Sequence, residues 1–136
     1  MKLYPHLAFN GECEAAFQFY AQCFGGEIVT MLAYGNSPMA EQAPPEWRGK
    51  ILHATLNFGE NVLAGSDSLP GQYEQPKGFQ VLLGVDDPVE AERIFHALAE
   101  NGRVLMPIQQ TFWARRFGVL VDRFGIPWEI NCEQAH

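Results

Sequence analysis

The chain repeats one order of predicted elements, strand–helix–strand–strand–strand, in its two halves. The first copy opens with LYPHLAF and the second with GFQVLLGV, and each helix leads through a glycine junction, CFGGEIV or ENGRVLM, into the next strand. Doubling of this kind predicts an α+β fold of two βαβββ modules, about residues 1–73 and 74–136, within a single domain. We expect each helix to cover the outer face of a curved mixed sheet, with the inner faces enclosing a cleft.

The second predicted helix carries the clearest start and stop signals in the chain. Asp87 is the expected cap, Pro88 takes the first helical position, Glu90 completes a capping box, and Asn101–Gly102 ends the helix. The helical spacing of its apolar residues predicts a buried stripe, formed by Ala91, Ile94, Phe95 and Leu98.

Composition and charge narrow the class of protein. The 136 residues are 47% hydrophobic and 18% charged, and 9 basic against 16 acidic residues give a net charge of −7. Basic residues form no cluster beyond Arg115–Arg116, so we expect neither nucleic acid nor a membrane as partner. MKLYPHLAF lacks the apolar core of a signal peptide and no apolar run is long enough to span a bilayer, so we expect neither element. Three cysteines without C-x-x-C spacing indicate buried, reduced thiols in a cytoplasmic protein.

Strand alternation separates three polar residues from the apolar side of their strands. The residues expected to face the helices are Leu3, Leu7 and Phe9 in the first module and Phe79, Val81, Leu83 and Val85 in the second. His6 and Gln80 then project from the opposite, concave faces, at corresponding places in the two modules. Glu129, between Trp128 and Ile130, projects from the concave face of the last strand.

An imidazole, an amide oxygen and a carboxylate that meet in one cleft form a donor set for a divalent metal. A buried carboxylate is costly unless it is paired or bound to a metal, which gives Glu129 a reason to be there. The competing interpretation is that one face of an antiparallel sheet is commonly wet, so isolated polar residues there need no function. His6, Gln80 and Glu129 are therefore candidate metal ligands.

Other side chains are candidates for contact with a substrate. His53 is predicted to face the same cleft, as a fourth ligand, as a general base, or as an inert residue hydrogen-bonded in the sheet. Trp113 and Arg116 are candidates for stacking on a ligand and holding its anionic group, against the alternative of a surface arginine pair beside a core tryptophan. Trp47, in a proline-broken loop, is either a lid contact or a loop anchor.

Four further polar residues have simpler interpretations. Asp67 and Asp122 sit next to turns, where aspartates typically cap or hydrogen-bond the backbone. His96 and His136 are expected to be exposed to solvent.

Three segments together resemble a known family. PHLAFNGECEAAFQFYAQCFGG, LHATLNFGENVLAGSD and TFWARRFGVLVDRFGIPWEINCE are similar to the PhnB-like branch of the vicinal oxygen chelate superfamily, which includes glyoxalase I, extradiol dioxygenases, fosfomycin-resistance transferases and bleomycin-binding proteins. The resemblance covers nearly the whole chain. It implies paired modules around a U-shaped cleft, often shared between subunits of a homodimer.

The resemblance also implies which strands supply metal ligands, namely the first and last strands of each module. By position these are His6, Gln80 and Glu129, whereas the last strand of the first module offers Leu63 or a neighbour, which is not a ligand. The set resembles a three-ligand site rather than the four-ligand site of glyoxalase I.

Two functional hypotheses follow for a small-molecule-binding protein of the glyoxalase/bleomycin resistance type. The first is a metal-dependent lyase, isomerase, transferase or dioxygenase that stabilises an enolate or oxyanion of a small oxygenated substrate, with Glu129 and His53 as catalytic residues. The second is a non-catalytic binder that sequesters an aromatic or cationic small molecule. The net charge of −7 and four aromatic residues are compatible with it: Trp47, Phe112, Trp113 and Trp128.

Overall fold

The computed structural model describes residues 1–134, so His136 lies outside the described residues. Contacts divide the chain into two compact units, Met1–Gln75 and Pro76–His136. In each unit the described residues form the order strand, helix, strand, strand, strand. Neither helix is long and apolar enough to cross a membrane.

The first unit is a four-stranded mixed sheet with one helix. Its elements are β1 (His6–Phe9), α1 (Cys13–Phe24), β2 (Glu27–Ala33), β3 (Ile51–Phe58) and β4 (Asn61–Asp67). The strand order is β1-β4-β3-β2, with β1 parallel to β4 and the other pairs antiparallel. Helix α1 packs on one face of this sheet.

The second unit repeats the arrangement. Its elements are β5 (Val81–Gly84), α2 (Pro88–Ala99), β6 (Arg103–Gln109), β7 (Ala114–Val121) and β8 (Pro127–Glu133). The strand order is β5-β8-β7-β6, with β5 parallel to β8 and the other pairs antiparallel. The predicted α+β fold of two similar modules with mixed sheets is confirmed, and both sheets are open. The cleft and the single-domain arrangement stay predictions.

Helix α1 forms because its apolar residues recur at helical spacing and fill one face of the sheet. The residues it buries are Cys13, Ala16, Phe17, Tyr20 and Cys23. The helix ends at Gly25, which has the left-handed φ of 73° and donates its N–H to the Ala21 carbonyl. Gly65 on β4 allows the close approach of Phe17, since a Cβ at this position would lie 2.8 Å from the ring.

Helix α2 begins where the sequence predicts. The Asp87 carboxylate accepts the Glu90 N–H at 3.2 Å, and the predicted apolar stripe is buried. The Glu90 carboxylate does not turn back to the helix start to complete the capping box. It pairs instead with Arg93, one turn along the helix. Arg93 also lowers the pKa of Glu90 by this hydrogen bond.

Two predicted apolar contacts are wrong because the first strand of each unit is short. Leu3 precedes β1 and is fully exposed, and Phe79 precedes β5 and is 48% exposed. Proline limits both strands, since it has no N–H for the ladder. Pro5 stands just before β1, and in the second unit β8 itself starts at Pro127, so pairing begins with Val81 and Trp128.

A buried carboxylate, Asp67 at the end of β4, fastens three segments of the first unit. Its Oδ1 accepts the backbone N–H groups of Gly11 and Cys13 at 2.9 and 3.0 Å, and its Oδ2 accepts that of Ile51 at 2.8 Å. The residue is 1% exposed, and its carbonyl accepts the Tyr34 hydroxyl at 2.6 Å. Burial next to this carboxylate raises the pKa values of the Tyr34 hydroxyl and the Cys13 thiol.

Asp122 performs the same task in the second unit. Its Oδ1 accepts the N–H groups of Phe124 and Ile126 at 2.8 and 3.0 Å, and its Oδ2 accepts Trp128 Nε1–H at 2.9 Å. The prediction that both aspartates hydrogen-bond the backbone is confirmed. The three cysteines are buried thiols, as predicted.

We predict that Asp67→Asn destabilises the protein by about 2–4 kcal/mol, because an amide has one acceptor oxygen and turns an NH₂ group toward a backbone donor. Urea unfolding followed by circular dichroism measures the change. Asp86→Asn, at an exposed aspartate, is the matched control and should change the free energy of unfolding by less than about 0.5 kcal/mol. Equal effects of the two substitutions would contradict the assignment.

Candidate functional site

The face of the first sheet turned away from α1, here called the first open face, carries His6. Leu7 and Phe9 are buried on the helix side, whereas His6 is exposed. In the register of the sheet His6 lies beside Ala64 of β4, and Ala64 lies beside Thr55 of β3. Paired residues share a face, so these three side chains point to the same side.

His53 lies on the same open face, two strands away from His6. Ala54, the next residue along β3, and Leu56 are both fully buried toward the helix. Strand alternation therefore turns His53 to the opposite face. The His6 and His53 rings are 6.2 Å apart between centroids and nearly parallel, with 23° between their planes. The structure therefore brings together two imidazoles that the sequence predicted separately.

Ser66 completes this group. Its Oγ lies 3.0 Å from His6 Nε2. Partial burial, and secondarily the positive charge that His53 can carry, hold the pKa of His6 below its usual range. His6 is consequently neutral near pH 7, which is the form that accepts hydrogen bonds and binds metals.

The second open face is the side of the second sheet turned away from α2, and it carries Glu129. This residue is half-buried between the fully buried Trp128 and Ile130, and it lies between Leu82 of β5 and Val119 of β7. The two residues paired with Glu129 on the neighbouring strands are thus aliphatic.

Gln80 lies one residue before β5 and is exposed. Continuing the alternation of β5 places it on the side of Leu82, the residue paired with Glu129. Gln80 and Glu129 therefore share the second open face. His6, the other predicted ligand, belongs to the first unit.

Three aromatic side chains, here called the aromatic cluster, stand at the start of β7. Phe112 and Trp113 meet edge to face at 4.7 Å, and Trp113 meets Phe117 at 5.3 Å. Phe117 pairs with Asn131, two residues beyond Glu129 on β8. Trp113 is 46% exposed, so the alternative of a core tryptophan is wrong. Sequence reasoning missed Phe117, although its alternation with the buried Gly118 is visible in RFGVL.

Arg116 points away from Glu129. It pairs with Cys132, a residue of the helix-facing side, and its Nε donates to Glu92 on α2 at 3.0 Å. Its neighbour Arg115 donates to the carbonyls of Glu133 and Asp86, both at 2.7 Å. The pair thus fastens β7 to its surroundings, and binding of a substrate by Arg116 stays a prediction.

Trp47 makes anchoring contacts in the loop between β2 and β3. Its Nε1–H donates to the Ser68 carbonyl at 3.0 Å, and Lys50 Nζ lies 5.8 Å from its ring centroid while donating to the Gly11 carbonyl at 3.0 Å. These contacts match the loop-anchor interpretation. A lid contact with a substrate stays a prediction.

Register identifies the residue of β4 that corresponds to Glu129, for which the sequence offered Leu63 or a neighbour. In the second unit, the position on β8 opposite Gln80 comes two residues before Glu129. In the first unit, Ala64 is the position on β4 opposite His6, and it comes two residues before Ser66. Ser66 is therefore the counterpart of Glu129. Leu63 points to the helix side and is 2% exposed.

The donor chemistry of the predicted ligands fits a divalent metal. His6 offers a neutral imidazole, Gln80 an amide oxygen and Glu129 a carboxylate. Among residues 1–134, no three His, Cys, Asp or Glu side chains are grouped so that they could hold a metal ion. The predicted set, which includes an amide, draws one residue from the first unit and two from the second.

Comparison with known proteins gives the family. The family model described as 3-demethylubiquinone-9 3-methyltransferase matches residues 1–131. Protein YjdN of Escherichia coli K12 is 34% identical over 139 residues, which cover 96% of this chain and 95% of that protein.

Solved structures agree. Protein PA1353 from Pseudomonas aeruginosa is 47% identical with a TM-score of 0.91, over 99% of both chains. The PhnB protein from Bacillus cereus is 27% identical with a TM-score of 0.81, over 97% of this chain and 99% of that one. A glyoxalase/bleomycin resistance protein/dioxygenase family enzyme from Burkholderia phytofirmans, 15% identical over 96% of this chain and 97% of that one, shares the fold with a TM-score of 0.65. The chain belongs to the family described as 3-demethylubiquinone-9 3-methyltransferase, is similar to the PhnB protein, and shares its fold with the glyoxalase/bleomycin resistance/dioxygenase protein.

Proposed function

We propose that this protein binds a small oxygenated molecule and, with a divalent metal held by His6, Gln80 and Glu129, stabilises an enolate or oxyanion formed from it. One observation carries the proposal: His6 and Glu129 lie on the open side of their sheets, and the alternation of β5, continued by one residue, puts Gln80 on the same side as Glu129. A bound metal would act as an electrophile for substrate oxygens in its open coordination positions.

The protein's own residues have distinct tasks in this proposal. His6 is available as a neutral nitrogen donor because its pKa lies below the usual range. Glu129 supplies negative charge and, since it is half-buried among aliphatic neighbours, is placed to carry a proton to or from the substrate. His53, on the same face as His6, acts either as general base or as a fourth ligand.

Substrate contacts come from the predicted binding residues. Trp113 and the rest of the aromatic cluster offer ring faces and edges on the second unit. Arg116 would have to exchange Glu92 for an anionic ligand, and Trp47 would contact a ligand from its anchored loop.

We further propose that the protein is a cytoplasmic homodimer. Large apolar side chains stay exposed in the second unit, with Leu82 56% and Phe112 91% exposed, and a second copy would cover such residues. Size-exclusion chromatography with light scattering measures the assembly.

We predict that the protein, purified without a polyhistidine tag, binds one divalent ion per chain, and that Glu129→Gln weakens binding at least about tenfold because the carboxylate charge is lost. Calorimetry with Zn²⁺ and elemental analysis measure it. Glu100→Gln, at an exposed carboxylate after α2, is the control and should bind as the wild type does. Wild-type protein that takes up no Zn²⁺, Mn²⁺, Ni²⁺ or Co²⁺ would refute the metal proposal.

We predict that His53→Gln raises the pKa of His6, because a like charge is removed, yet leaves it below the usual value, because partial burial remains. An NMR titration of the His6 ring measures both. Asn57→Ala, an exposed and uncharged change on the same strand, should not move it. In the wild type, folding lowers the pKa of His6. Protonation of His6 therefore destabilises the folded state as pH falls from the usual histidine pKa through the lower pKa in the folded protein.

The aromatic cluster favours a second candidate function, a non-catalytic binder of aromatic or cationic molecules. Trp113 contacts both Phe112 and Phe117, at and just before the start of β7, the strand next to the one that carries Glu129, and Phe112 and Trp113 are exposed. Aromatic rings and a carboxylate are the groups that recognise a planar organic cation.

We predict that the metal-free protein binds thioflavin T, a planar aromatic cation, and that Trp113→Ala weakens binding about fivefold or more. Fluorescence titration measures it. Phe124→Leu, an aromatic loss in the turn after β7, is the control. A thermal-shift series with S-adenosylmethionine tests the methyl transfer named in the family's description. Stabilisation by that compound alone would count against both candidate functions.

A further inference from the structure

We propose that His53 is a metal ligand, which with His6 forms a pair of imidazole ligands above Ser66 on the first open face. This rests on the proposed function, because it assumes that a divalent metal binds at His6. It assigns to His53 the ligand role rather than that of a general base, and it places the metal on one sheet face.

The convergence of the two rings is the first argument. β1 and β3 flank β4, so they are separated by two strand spacings, about 9.5 Å. The ring centroids are only 6.2 Å apart, so the two side chains lean toward each other over β4. The residues of β4 beneath them are Ala64 and Ser66, whose small side chains leave room for both rings.

The direction of His6 is the second argument. Its Nε2 lies 3.0 Å from Ser66 Oγ, so the nitrogen points across β4. Continuing the β3–β4 register by one residue beyond Ala54 and Gly65 places His53 beside Ser66. His6 Nε2 therefore points toward the strand that carries His53. The rings are nearly parallel, so each would turn to direct its in-plane lone pair at a shared Zn²⁺ ion, which requires Zn–N distances of 2.0–2.1 Å, and the small side chains of β4 leave space for that turn.

The donor set also indicates the metal. Two imidazoles with a hydroxyl, or a water held by it, favour Zn²⁺, Co²⁺, Ni²⁺ or Cu²⁺ over Mg²⁺ and Ca²⁺, which prefer oxygen. Two protein nitrogens leave at least two coordination positions for substrate oxygens or for further ligands.

The test uses Co²⁺ as probe on the full chain, purified without a polyhistidine tag and stripped with EDTA. We expect Co²⁺ to shift or broaden the NMR ring signals of both His6 and His53, and His53→Gln to weaken Co²⁺ binding about tenfold or more. His96→Gln is the matched control, since that imidazole is exposed on α2 and pairs with Glu92. Circular dichroism checks that each variant folds.

The outcomes separate this inference from the three-ligand proposal. Weak binding by His53→Gln with unchanged binding by Glu129→Gln supports the two-imidazole site and removes Glu129 as a ligand. Weak binding by both variants supports both. Unchanged binding by His53→Gln, with its wild-type ring signal unaffected by Co²⁺, overturns the inference, and Glu129→Gln then decides the proposed function alone. Wild-type protein that binds no Co²⁺ overturns both.

Discussion

Each unit has four strands and a single helix, and this imbalance controls where chemistry can lie. One helix covers one face of a sheet, and the central strands β3 and β4 of the first unit and β7 and β8 of the second bury apolar side chains toward it. The opposite face is left open within the unit. Polar side chains such as His6 and Glu129 are tolerated there because they do not have to displace core residues. The same scaffold can therefore vary its open face without losing its core.

The helix side depends in turn on two buried aspartates that join segments the sheet cannot join. Asp67 connects the end of β4 with the starts of α1 and β3, and Asp122 connects the turn after β7 with Trp128. Both carboxylates accept three hydrogen bonds in regions with almost no solvent, where an unpaired charge would be costly. These buried charges are structural, whereas the half-buried Glu129 faces the open side.

Much of the fold was predictable because its signals are local. The glycine junctions, the Asp87–Pro88 helix start and the two-residue alternation of the strands each act within a few residues. Leu3 and Phe79 were wrongly predicted to face the helices because a proline limits the length of each first strand. In the first unit the proline comes just before β1, and in the second unit it starts the partner strand β8. The counterpart of Glu129 was left open as Leu63 or a neighbour, since Ser66 is identified by pairing between strands and not by distance along the sequence.

The candidate site was predictable in its parts but not in its grouping. Alternation put His6 and His53 on one face, yet nothing in the sequence says that their rings converge over Ala64 and Ser66. Convergence requires small residues on the strand between them, which becomes visible only once the order β1-β4-β3 is known. Arg116 shows the converse, because the same alternation that exposes Phe117 turns this arginine toward Glu92 on the helix. A polar residue that neighbours a site in the sequence therefore belongs to that site only if strand alternation turns it to the same face of the sheet.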